Sequence, residues 1–182
     1  MLQIEIPTRE YYDEVQNVFI TVKGQTLQLE HSLVSISKWE SKWNKPFLSK
    51  DKKTVEEFLD YVRCMTLTQN VNPEVYKNID QRIANKITEY IEAPMSATWF
   101  NEVKGAPQRP SREVVTSELI YYWMVALQIP FECQKWHFNR LMNLIRICNI
   151  KNSPKKKMSR NEIYSRNAAL NAARRKMTGS SG

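Results

Sequence analysis

Glycine, histidine and cysteine are scarce in this chain, and each shortage removes a class of chemistry. There are four glycines, two of them in the last four residues, so no glycine-rich loop can cradle a phosphate. His31 and His137 are the only histidines, and neither has a partner at metal-ligand spacing. The three cysteines, Cys64, Cys133 and Cys148, form no CxxC pair and fall in apolar helical segments, so they read as buried free thiols. No apolar run approaches the length of a bilayer and no signal-peptide pattern opens the chain, so a cytosolic protein is expected. The carboxylates converge on nothing. Glu56-Glu57 and Asp60 read as the solvated face of a helix, and Glu113 with Glu118 as helix-start and exposed-face charges. The expectation is a protein that is not an enzyme, with no cofactor and no metal.

Charge is plentiful but unevenly placed. Nine of the 27 basic residues and one of the 19 acidic residues lie between Lys151 and Lys176, so this stretch carries the whole net charge of +8 and the remainder is balanced. Residues 151–182 therefore read as a basic tail on a neutral body. Ser159 and Glu162 have capping-box spacing, which predicts a helix from Arg160 to about Lys176. Its cations, with Lys155, Lys156, Lys157, Arg160, Arg166, Arg174 and Arg175 foremost, could neutralise nucleic-acid phosphates or dock on acidic protein.

Residues 1–30 alternate apolar and polar side chains in LQIEI and again in VFITV, the period of a half-buried strand. They predict a small β-element of two or three strands, with a polar break at Pro7–Asn17 and a hairpin turn at Gly24-Gln25. Residues 31–150 carry helical spacing. Leu33, Ile36 and Trp39 mark one helix up to Asn44-Lys45-Pro46. Val55, Phe58, Leu59, Val62 and Met65 mark a second, and Ile83, Ile87, Tyr90 and Ile91 a third. After a long loop with three prolines, Ser111 is the expected N-cap of a helix whose stripe is Val115, Leu119, Tyr122, Ala126 and Ile129, ended by Pro130. Phe138, Leu141, Met142, Ile145 and Cys148 form the face of another. The fold class is mainly α: a helical domain with a small N-terminal β-element and a basic, partly helical C-terminal tail.

Five tryptophans and seven methionines exceed what one small core usually needs. Trp39, Trp43 and Phe47, before the proline break, and Trp99 and Phe100, in the long loop, are the candidate partner-binding residues, since aromatic side chains dominate binding hot spots. The competing reading places the same five in the core.

The segments HSLVSISKWESKWNKPFLS, VRCMTLTQNVNPEVY, PSREVVTSELIYYWMVALQIPFECQKWHFNRLMNLI and LNAARR, spread from about Gln28 to Arg175, resemble the tail assembly chaperones of long-tailed phages, particularly those infecting actinobacteria and related hosts. The resemblance implies a chaperone that binds the tape measure protein, keeps it soluble and supports polymerisation of the tail tube protein around it. It implies self-association, a longer frameshift product of the same gene as a further partner, action in the host cytoplasm, and absence from the mature virion. It carries over no ligand residues. Two alternatives stay open from the sequence: a small nucleic-acid-binding protein acting through its tail, and a structural head–tail connector subunit.

Overall fold

One long hairpin occupies the first thirty residues. In the computed structural model, which describes residues 1–14, 17–98, 100, 114–153 and 160–179, strand β1 (Leu2–Ile6) pairs antiparallel with β4 (Gln25–Leu29) and β2 (Arg9–Asp13) with β3 (Val18–Val22). The register is continuous from Leu2 opposite Leu29 to Asp13 opposite Val18, so the strands are two limbs of a single ribbon interrupted midway. Pro7 lacks the N–H that a ladder needs. Across from it, Gly24 approaches so closely that a Cβ there would sit 2.4 Å from the Ile6 carbonyl oxygen and 2.8 Å from the Thr8 nitrogen. The Gly24 N–H turns to the Thr8 Oγ1 instead, at 2.9 Å. Pro7–Asn17 is therefore not a break but contains a strand, and Gly24-Gln25 is not the hairpin turn. The ladder runs on to the Asp13–Val18 pair, and the glycine serves a close backbone approach.

The near half of the ribbon is part of the body. Ile4, Ile6, Leu27 and Leu29 are buried on one face, while Gln3, Gln28, Glu5 and Thr26 pair on the other. The outer edge of β4 is covered by the chain around Met65–Thr68: the Glu30 N–H donates to the Met65 carbonyl (2.9 Å) and the Leu67 N–H to the Gln28 carbonyl (2.8 Å).

Helices supply the rest of the core. Helix α1 (Leu33–Trp43) starts at a Ser32–Ser35 capping box and ends at Asn44 in the left-handed region. Helix α2 (Val55–Met65) starts at a Thr54–Glu57 capping box and lies along α1. A 3-10 turn (Pro73–Asn78) leads to α3 (Gln81–Glu92), capped by Asp80 and set against β1. Helix α4 (Ser117–Ala126) is capped by Thr116, and α5 (Phe138–Asn152) follows a second 3-10 turn (Phe131–Lys135). The Glu40 carboxylate joins three segments by accepting the Phe47 N–H and the Ser117 N–H, each at 2.7 Å. Leu33, Ile36, Trp39, Val62, Met65, Ile87, Ile120, Met124 and Leu141 meet in one buried cluster.

Two helix faces differ from expectation. In α4 the buried residues are Ser117, Ile120 and Met124, whereas Tyr122 and Ala126 are exposed. The segment from Leu119 to Leu127 is apolar on nearly every side, so its periodicity selects no face. The helix also begins later than the Ser111 cap predicts, with Val114 to Thr116 outside it, and Ser111 and Glu113 lie outside the described residues. In α2, Glu57 and Asp60 are buried rather than solvated, and Val55 is exposed. Basic residues and indoles of α1 and its C-terminal turn account for that inversion.

The chain divides into two units, Met1–Asn149 and Ile150–Gly182. The second contains α6 (Arg160–Thr178), whose described side chains are all exposed. Among the described residues no helix is long and apolar enough to cross a membrane.

Candidate functional site

The sequence-nominated aromatics assemble around α1 and α2. Trp39 is 2% exposed, and its indole N–H donates to the Glu57 carbonyl at 2.9 Å. Its ring stacks on Trp43 at 6.1 Å and meets Phe47 edge-on at 5.3 Å, and Phe47 packs on Tyr61 at 4.1 Å. Trp39 and Phe47 are buried, the core placement that the sequence left open beside partner binding: their faces pack on one another and on α2. Trp43 is half-buried and donates its indole N–H to the Asp60 Oδ2 at 2.9 Å.

Charge closes over this stack. Lys42 bonds the Asp60 Oδ1, Lys45 bonds the Glu57 Oε1 at 2.6 Å, and the Lys53 ammonium sits 4.3 Å from the Phe47 ring centre. Burial pushes the Asp60 carboxyl up, but hydrogen bonds from Lys42 and Trp43 and the charges of Lys42 and Arg63 outweigh it and hold the group below its usual range. The Glu57 carboxyl is likewise lowered, chiefly by the bond from Lys45 and by the Thr54 N–H. These carboxylates are ionised at neutral pH and hydrogen-bonded within the fold.

The two histidines, 106 positions apart, meet in the core with ring centres 5.1 Å apart. His31 Nδ1 bonds the Tyr61 hydroxyl. His137 donates from Nε2 to the Tyr90 carbonyl (3.0 Å), and its Nδ1 accepts the Asn139 N–H (3.3 Å) at the start of α5. Burial, followed by the neighbouring His137, lowers His31 to about 3, and burial also lowers His137. Both are neutral structural groups. Among the described residues no cluster of histidine, cysteine, aspartate or glutamate could hold a metal ion. The cysteines are free thiols: Cys133 is buried, and Cys64 and Cys148 are half-buried.

Of the remaining nominated residues, Phe100 is half-buried with the Arg146 guanidinium 4.0 Å from its ring centre. Trp99, Lys155, Lys156 and Lys157 lie outside the described residues, whereas Arg160, Arg166, Arg174 and Arg175 are exposed on α6.

Among the described residues of Met1–Asn149, solvent-facing apolar side chains include two groups away from these aromatics. The first is the outer side of α4: Tyr122 is 65% exposed and Val125 59%, on one face with Glu118 a turn before them, while Phe131 beyond the helix is 53% exposed. The second is the far half of the hairpin. Phe19 is 74% exposed and Tyr12, its cross-strand partner at 5.0 Å, is 51% exposed, with Val18 and Ile20 open on the opposite face. The signal for both was present as apolar residues on both phases of a period: LIYYWMVAL around a helix, and Val-Phe-Ile along a strand. Neither surface carries convergent titratable groups. What they can do chemically is bind other apolar surface.

No protein-family model, no curated protein and no solved structure matches the chain.

Proposed function

We propose that this protein is a non-enzymatic assembly chaperone of a long-tailed phage, binding the tape measure protein through the outer face of α4. The observation that carries the reading is the exposed apolar pair Tyr122 and Val125 on one face of α4, with Phe131 exposed beyond the helix, on a body of balanced charge. Such a patch fits an amphipathic helix, and the exposed Glu118 and Glu132 beside it favour a client whose apolar stripe is bordered by lysine or arginine. A long client offers many such stripes, so many copies bind one tape measure, associate with one another and hand the assembly to the tail tube protein. The longer frameshift product shares the work, in the host cytoplasm, and the chaperone departs before the virion matures.

Co-expression with an amphipathic tape measure segment tests this. The segment becomes soluble with the wild-type chain and stays insoluble with Tyr122→Glu/Val125→Glu, whose charges face outward and leave the fold intact. A segment equally insoluble with the wild-type chain would remove the reading's main support. The exposed arginines of α6 favour a second reading, nucleic-acid binding through the tail, which predicts affinity that collapses as salt rises.

A further inference from the structure

We infer that β3 is a self-pairing edge, through which two copies of this chain join antiparallel about a two-fold axis at Ile20. The two limbs of the hairpin are treated differently along their length. On the near half, the outer edge of β4 is bonded by the segment Met65–Thr68. On the far half, β3 continues the same limb with no backbone partner on its outer side among the described residues. An uncovered edge is normally guarded by lysine, proline or a bulge. The sequence of β3, Val-Phe-Ile-Thr-Val, has none of these.

Charge and anchoring separate the two edges of the arm. Strand β2 carries Arg9, Glu10 and Asp13, and it is held to the body by the Tyr11–Asn78 hydrogen bond and by Arg9, 3.6 Å from Asp80. Strand β3 carries no charge, so a second β3 laid against it puts only uncharged side chains opposite one another. An axis at Ile20 pairs the whole strand: Val18 with Val22, Phe19 with Thr21, and Ile20 with its own copy. Such a contact is isologous and closes on itself.

Area sets the strength. Phe19, Val18 and Ile20, the open side chains of β3 itself, leave on the order of 300 Å² per copy, given aromatic side chains of about 150–250 Å². Two copies reach roughly 600 Å², below the ~1,200–2,000 Å² of a stable interface. Pairing is therefore weak between free copies and strong between copies held side by side. In purpose this rests on the chaperone reading, which needs many copies on one client; in geometry it does not.

Sedimentation velocity across a concentration series, from micromolar to millimolar, tests it on the full chain. The wild-type chain associates as concentration rises. Ile20→Lys and Ile20→Glu each remain monomeric, because like charges meet at the axis, and mixing the two restores association. If a charged variant melts early, Phe19→Ser takes its place and must weaken association at least tenfold. A wild-type chain that stays monomeric throughout, or a Lys/Glu mixture that does, overturns the proposal. Client co-expression with Ile20→Lys keeps the two readings apart. Client solubility with no self-association in the wild-type chain sinks only the edge pairing, and Ile20-dependent self-association with no client binding sinks only the chaperone.

Discussion

Glu57 and Asp60 show how a few contacts reverse what a residue's type suggests. On a helical wheel they share a side with Glu56, yet the ammonium groups of Lys42 and Lys45 and the indole N–H of Trp43 reach them from α1 and its C-terminal turn and draw that side inward. The histidines make the opposite case, since a lone histidine in a sequence gives no sign of what it will face. Both are neutral when folded, and each takes up a proton on unfolding below its ordinary value of 6.5. Stability is therefore complete above that pH and falls as pH drops below it, by up to about 1.4 kcal/mol per pH unit for each histidine. Thermal melts from about pH 7 to about pH 5 should show a falling midpoint, and His137→Asn, which keeps a cap for α5, should flatten the slope. A midpoint unchanged over that range would contradict the burial of the pair. The lowered carboxyls of Glu57 and Asp60 add a separate loss at more acid pH, because their stabilisation is present above their ordinary values and disappears as pH falls through the folded ones.

The helices were legible because their apolar residues contrast with polar neighbours. Leu33, Ile36 and Trp39 in α1, Ile83, Ile87 and Tyr90 in α3, and Phe138, Leu141 and Ile145 in α5 are buried as their spacing predicts. Where contrast fails, phase fails: α4 is apolar all round, and only packing against α1 chooses Ile120 and Met124 over Tyr122. The ribbon failed for a different reason. Glycine near a lysine between two alternating runs is a hairpin signal, but nothing local distinguishes a glycine that turns from one that lets two strands pass closely. That difference is testable. A turn glycine outside the left-handed region tolerates alanine, whereas at Gly24 the added Cβ meets backbone atoms of Ile6, Pro7 and Thr8 that cannot move aside. Gly24→Ala should cost about 1–3 kcal/mol in chemical denaturation. A variant as stable as wild type would mean the limbs do not cross there.

At the scale of the whole molecule, the proposed chaperone reading divides function among surfaces rather than gathering it in a cleft. The body is neutral, the buried polar side chains among its described residues are satisfied, and its nominated tryptophans Trp39 and Trp43 are engaged in holding α1 to α2. Among the described residues, the outer face of α4, the edge of β3 and the arginines of α6 are exposed. The sequence pointed to aromatic residues as the contact chemistry but could not tell spent aromatics from free ones, because that depends on partners far along the chain. An account built on client binding and self-association is tested most directly by light scattering with size-exclusion chromatography, on the protein alone and then co-expressed with a tape measure protein. The expected result is a weak, concentration-dependent self-association alone and a defined complex with several copies per client together. A chain that stays monomeric in both preparations, leaving the client insoluble, would contradict it.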